Sequence, residues 1–143
     1  MAVTISFYAK FVEFFGDNTI DLDTDTFDII LMNSTHTFSS ANTVKADISA
    51  NEIATANGYT QGAETLASVA WSETGGTTTF DAADVTWTAS GGDIGPATDA
   101  VIYSETAGSD ELMCSIDFDG PQTAGDGTDF KVTYSAPGIF TIA

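Results

Sequence analysis

Aspartates at alternate positions are the part of this sequence that most resembles a reactive site. The metal candidates form one run: Asp17, Asp21, Asp23 and Asp25. The last three resemble the start of a calcium-binding loop, but Thr26 stands where that loop needs glycine and Met32 where it needs glutamate. Alternating carboxylates also suit the solvent side of a strand edge, with Leu22 pointing inward. We therefore predict a solvated edge and no metal ligand; calcium binding by Asp21, Asp23 and Asp25 stays the open alternative.

The residue types that most often catalyse reactions show no defined arrangement. His36, the only histidine, lies in a polar segment, so we predict an ordinary surface side chain. Serines and aspartates are abundant enough for a Ser-His-Asp set, yet no nucleophile-elbow motif surrounds any serine. One histidine and one cysteine cannot supply a four-ligand zinc site, and the apolar run around Cys114 predicts a buried thiol. We predict no enzyme, no catalytic residue and no cofactor.

Two patterns are compatible with sugar chemistry, and both are weak. With 21 acidic residues, some pair of carboxylates meets the separation found in glycoside hydrolases by chance. Trp71 and Trp87 could stack on sugar rings, but tryptophans in strands more often pack in a core. A carbohydrate-binding module on a host-facing structure is therefore an alternative function from another class.

The charge of the chain excludes several partners. Three lysines, Lys10, Lys45 and Lys131, stand against 21 acidic residues, and the net charge is -18. Nucleic acids and anionic membranes attract proteins through lysine and arginine, so we predict no binding to either. No apolar stretch approaches the roughly 20 residues of a membrane span, and no basic leader precedes an apolar run. The expected partner is a neutral or basic protein surface.

The N-terminal 16 residues predict a helix that packs on a sheet. Aromatic residues recur there at spacings of three and four, and Gly16 follows as a stop signal. The residues that share this face are Phe7, Tyr8, Phe11, Val12, Phe14 and Phe15. A capping-box pattern, Ser49 followed by Glu52, indicates one or two further helical turns.

The remainder predicts about eight short strands separated by glycine-rich turns. They are Phe27–Met32, Leu66–Trp71, Thr77–Phe80, the pair Val85 and Trp87, Ala100–Tyr103, the stripe Leu112, Cys114, Ile116 and Phe118, the stripe Phe130, Val132 and Tyr134, and Ile139–Ile142. The stretch from Ser34 to Tyr59 lacks periodicity and is expected to be a long excursion. We predict one domain, residues 1–143, with a mainly β fold: an antiparallel β-sandwich or barrel with the N-terminal helix on its sheet.

The order of these pieces resembles a type of small structural protein of tailed bacteriophages. The segments that carry the resemblance span about residue 7 to the end: IDLDTDTF at 20–27, NGYT at 57–60, FDAADVTW at 80–87, AVIY at 100–103 and PGIFTI at 137–142. These motifs are structural and not catalytic. The resemblance implies a virion protein made in the host cytoplasm, of the head decoration (cement) type.

The function implied by this resemblance is binding to the lattice of the major capsid protein at the capsid surface. By analogy, a homo-oligomer, a trimer at lattice three-fold positions, is expected. A component of the tail tube, a terminator or a head-tail adaptor is the alternative within the virion. A high net charge would keep such a protein soluble before assembly, and many weak contacts on one shell would add up.

Overall fold

The computed structural model describes residues 3–143, which form ten strands, one α-helix and two 3₁₀ turns. The strands are β1 (Thr4–Phe7), β2 (Phe27–Met32), β3 (Glu64–Thr65), β4 (Ala70–Thr74), β5 (Thr77–Asp81), β6 (Val85–Thr88), β7 (Ile94–Ser104), β8 (Glu111–Ala124), β9 (Asp129–Val132) and β10 (Phe140–Ile142). Helix α1 spans Phe11–Gly16, and the 3₁₀ turns span Lys45–Asp47 and Ser49–Asn51.

The predicted mainly β character is confirmed, and the strands pair antiparallel. The largest sheet has five strands in the order β1-β8-β7-β2-β3. A second sheet has the order β10-β5-β4, and β6 pairs with β9 in a third. No helix within residues 3–143 is long and apolar enough to cross a membrane.

Strand β2 is buried on both faces, which explains why all its residues except Asp28 are apolar. All six of its residues are buried. Phe27, Ile29 and Leu31 share a face, as predicted, and belong to the main core, which also contains side chains from the two smaller sheets. Ile30 and Met32 belong to a second cluster, because successive side chains in a strand point to opposite faces. The five-stranded sheet therefore lies between two apolar layers.

The second apolar layer comes from the segment between β2 and β3, which contains the predicted excursion from Ser34 to Tyr59. Ile48 of this segment packs with Val101 and Leu112 against the outer face of the five-stranded sheet. The predicted capping box is wrong. Ser49 lies inside a single 3₁₀ turn that ends at Asn51, and its side chain does not cap a helix. The excursion thus covers the sheet with irregular backbone.

A bulge in β8 breaks the predicted stripe of apolar residues. Ile102 pairs with Cys114 and Tyr103 pairs with Leu112, so Met113 is an extra residue opposite β7. The sequence predicts Leu112 and Cys114 on one face. Leu112 instead belongs to the second cluster, whereas Cys114 lies in the main core. The extra residue shifts the alternation by one position.

The N-terminal helix is shorter than predicted. Phe7 ends β1, which pairs with β8 through residues Thr4 to Phe7. The β-branched residues at the start favour this strand, and the helix begins only at Phe11. Within it Phe11 is buried, and Phe14 and Phe15 pack against the main core. The aromatic residues at spacings of three and four therefore lie partly in a strand and partly in a six-residue helix.

Two predicted strands are interrupted or end earlier than predicted. The segment from Leu66 to Trp71 is not one strand, because Ser68 has a φ of 55°, which interrupts extended backbone between β3 and β4. Strand β9, which corresponds to the predicted stripe of Phe130, Val132 and Tyr134, ends at Val132, so Tyr134 lies beyond it. The alternation of β6 is confirmed, with Val85 and Trp87 buried.

The turn at Asn57 and Gly58 offers a test of this architecture. Ala56 and Tyr59 exchange two backbone hydrogen bonds across it, and Gly58 has a φ of 97°. A β-carbon on Gly58 would collide with the carbonyl oxygen of Thr88. We expect Gly58→Ala to lower the free energy of unfolding by roughly 2–4 kcal/mol, measured by urea denaturation.

Gly76 supplies the matched control for this substitution. Its φ is 89°, but a β-carbon there would meet no atom within 4 Å. Gly76→Ala should therefore cost only the backbone strain, about 1 kcal/mol. Equal losses in the two variants would contradict the close approach of Gly58 to β6.

Candidate interaction surface

Apolar side chains are exposed where β1, α1 and β10 meet. Phe7, Val12 and Ile142 are 39%, 68% and 47% exposed, and Val3 is 39% exposed. Strands β1 and β10 are the outer strands of their sheets, so both sheet edges lie open here. We call this region the seam surface; it consists of Val3, Ile5, Phe7, Phe11, Val12, Phe140, Thr141 and Ile142.

Phe140 holds the aromatic rings of the seam surface together. Its ring meets that of Phe7 edge-on at 5.1 Å and that of Phe11 at 5.9 Å between centroids. On its inner side it stacks on Phe80 at 5.3 Å, and Phe80 is fully buried. Aromatic pairs at these distances are mutually attractive. The exposed rings are therefore anchored to the main core.

Three small cavities follow the boundary between β1 and the C-terminal segment. Two, of about 210 and 100 Å³, lie between Val3 and Ile116 on one side and Thr133 and Ser135 on the other. The third, of about 180 Å³, is lined by Phe7, Phe11, Val12 and β10. None of the residues that line these three cavities is charged. The boundary is thus incompletely filled and apolar.

The lack of charge at the seam surface contrasts with the other sheet edges. Outer strands β3 and β4 carry Glu64 and Glu73, whereas β1 and β10 carry no charged residue. Charges on edge strands prevent unwanted pairing with other chains. At the rim, Lys10 pairs with Glu13 at 2.6 Å, and both side chains are exposed. Two of the four outer edges in the larger sheets therefore remain open to a partner.

His36 is not the ordinary surface residue that the sequence predicts. Its side chain is 3% exposed, and Nδ1 lies 2.8 Å from Oδ2 of Asp99. The same carboxylate accepts hydrogen bonds from Ser115 Oγ at 3.0 Å and from Thr98 Oγ1 at 3.0 Å. The bond with His36 therefore ties the excursion to β7 and β8.

This cluster contains a serine, a histidine and an aspartate, but their hydrogen bonds do not connect them in the order that nucleophilic catalysis needs. A catalytic serine must donate to the histidine, but Ser115 donates to Asp99. Ser115 is also only 3% exposed. His36 Nε2 is buried and makes no hydrogen bond within residues 3–143. The arrangement is suited to holding the excursion in place.

A second buried polar network lies under the excursion. Glu52 accepts hydrogen bonds from the Tyr59 hydroxyl at 2.7 Å and from the Gly62 amide at 2.8 Å. Tyr103 donates to Asp28 at 3.3 Å and accepts from the Lys45 ammonium at 3.0 Å. Burial is the main cause that raises the pKa of both tyrosines. Both phenols therefore stay neutral donors at physiological pH.

The aspartate run forms a turn before β2 and not the edge of a strand. Asp21 Oδ1 accepts hydrogen bonds from the amides of Asp23 and Thr24, which lowers the pKa of Asp21. Asp25 Oδ2 accepts from the Asp21 amide and from Ser104 Oγ. Residues 3–143 contain no group of three or more His, Cys, Asp or Glu side chains that could hold a metal ion.

The remaining candidates from the sequence are enclosed or half-buried. Trp87 is 4% exposed and packs against Tyr59 and Phe130, so it offers no face to a sugar ring. Trp71 is half-buried and contacts Phe15 edge-on at 5.8 Å. Cys114 is fully buried, as predicted. The N-terminal aromatic residues were the sequence signal for the seam surface. The contribution of β10 was missed, because an apolar strand at the end of the chain is normally predicted to pack in the core.

Comparisons with protein-family models, with curated proteins and with solved structures found no match to this chain.

The Asp99 cluster predicts a large effect from one substitution. In Asp99→Ala, His36 Nδ1 and Ser115 Oγ lose a buried acceptor, and each unpaired group costs about 1–3 kcal/mol. We expect the free energy of unfolding to fall by about 2–4 kcal/mol in urea denaturation. Asp117→Ala is the control, since Asp117 and Asp99 line one small cavity of about 120 Å³ and Asp117 is exposed. Similar losses from both substitutions would argue against a structural role for the cluster.

Cys114 predicts the reactivity of the native protein towards thiol reagents. Burial raises the pKa of its thiol to about 12, so the reactive thiolate is scarce at neutral pH. We expect an aromatic disulfide reagent to label native protein only as fast as the protein unfolds. The same protein in concentrated urea should react at the rate of a free cysteine. Rapid labelling without denaturant would show that β8 opens locally.

Proposed function

We propose that this chain is a non-enzymatic structural protein of a tailed-phage particle, a head decoration protein that binds the lattice of the major capsid protein. The observation that carries the proposal is the seam surface: an uncharged, aromatic region at two open sheet edges of a chain with a net charge of -18. Such a surface is suited to binding another protein.

The polar clusters support a binding role over catalysis. The buried carboxylates Asp28, Glu52 and Asp99 each accept hydrogen bonds from neighbouring side chains or amides, and the contact of Asp99 with His36 fastens the excursion to the sheet. The cavity beside Asp99 holds only about 120 Å³. Ligand pockets usually have volumes of about 300 Å³ or more. The buried polar groups thus serve to stabilise the fold.

The resemblance of segments 20–27, 57–60, 80–87, 100–103 and 137–142 to phage structural proteins supports the location in a virion. Segment 137–142 includes β10, so the resemblance extends to the seam surface. Within this proposal the sheets pack as a sandwich, and the chains form a trimer at the three-fold positions of the lattice. The acidic remainder of the surface keeps the free protein soluble and repels nucleic acid.

The proposal is tested by locating the protein in particles. Virions of the phage that encodes this chain would be separated into heads and tails, and each fraction quantified by mass spectrometry against the major capsid and major tail proteins. We expect the chain in heads, in a fixed ratio to the capsid protein. Recovery in tails would favour a tail-tube, terminator or adaptor role, and absence from both fractions would refute a virion role.

A further inference from the structure

We propose that the seam surface binds an extended segment of the partner chain, with apolar side chains at alternate positions and lysine or arginine on either side of them. That the partner is the capsid protein rests on the proposed function. The shape and the chemistry of the segment rest on the seam surface itself.

The shape follows from the two open edges. Val3, Ile5 and Phe7 lie at alternate positions, so they project to the same side of β1 and line the cavities in order. Across the boundary, Ile139 and β10 line the same cavities. A strand places every second side chain on one face, at a spacing of about 6.6–6.8 Å. An extended segment can therefore fill successive cavities while its backbone pairs with an open edge.

The chemistry of the segment follows from the contrast between the seam surface and the rest of the chain. The cavities have no charged lining residue, so apolar side chains would enter them without leaving a charge unpaired. Outside the seam, the chain carries 21 acidic residues against three lysines. Flanking lysine or arginine residues would be attracted by this negative charge, whereas acidic flanking residues would be repelled.

The same charge disfavours a second copy of this chain as the occupant. Two copies would each bring a net charge of -18 to the contact. Bringing two such acidic chains into contact is unfavourable at low salt. A basic segment from a different chain would be attracted by this negative charge, whereas a second copy would be repelled.

Paired charge substitutions test the surface. The probe is a particle from which this protein has been deleted, and binding is measured by co-sedimentation. Val12→Asp combined with Ile142→Asp should weaken binding at least tenfold, because acidic groups would be buried in the contact. Both side chains are exposed, so the variant should keep its circular dichroism spectrum and unfolding midpoint.

Ser34→Asp combined with Thr60→Asp is the matched control, because both positions are exposed and lie in the segment between β2 and β3, outside β1 and β10. It adds the same two charges and should change binding less than twofold. Equal weakening in both variants would overturn the proposal in favour of general charge repulsion. Undiminished binding of the seam variant would overturn it while the proposed function stands. No binding by the unmodified protein would refute the proposed function and the partner assigned here.

Cross-linking identifies the occupant. A photoreactive phenylalanine analogue would replace Val3 in one protein and Val12 in another, at opposite ends of the cavities. Both probes should capture one peptide of the major capsid protein, with alternate apolar residues between basic ones. Capture of this chain by itself would assign the surface to self-association, and capture of two unrelated peptides would exclude an extended occupant. Either result overturns the proposal.

Discussion

Strands β2, β7 and β8 carry apolar side chains on both faces, and the rest of the structure follows from the need to cover both. Water-exposed apolar area costs about 25 cal/mol per Å², so neither face of these strands can remain open. The smaller sheets cover one face and build the main core. Ile48 of the excursion covers the other face, together with Tyr8, which follows β1. An irregular segment can serve as a layer because β2, β7 and β8 beneath it already have neighbouring strands on both sides.

Covering a sheet with irregular backbone creates a second requirement, which is to satisfy buried polar groups. Asp28, Glu52 and Asp99 are less than 8% exposed and would be strongly destabilising without partners. Each accepts at least two hydrogen bonds, and each group of bonds joins different parts of the chain: Asp28 joins β2 to β3 and β7, and Asp99 joins β7 to β8 and His36. Asp99, through its contact with His36, thus fixes the excursion where apolar contacts alone would leave its position less defined.

The sequence predicted the elements whose pattern is set locally and failed where distant pairing decides. The bounds of β2 were predicted correctly, because five of its six residues are apolar, a pattern that fits a strand covered on both faces. The face of Leu112 was predicted wrongly, since a bulge at Met113 depends on the pairing with β7. The helical spacing of Phe7 and Phe11 was misleading, because β8 supplies a partner for β1. His36 was misjudged for the same reason: its carboxylate partner lies 63 positions further along the chain.

The acidic surface and the apolar seam have one explanation in common. Protection of an edge strand needs a single charge, and the chain has 21 acidic residues, of which Glu64 and Glu73 lie on outer strands β3 and β4. The uncharged edges of β1 and β10 therefore do not reflect a shortage of acidic residues. An open apolar edge on an otherwise neutral protein would promote aggregation. A net charge of -18 opposes the approach of identical chains while leaving the edge available to a neutral or basic partner. The charge thus opposes self-association at the open edge, and in the proposed function this edge is where the partner binds.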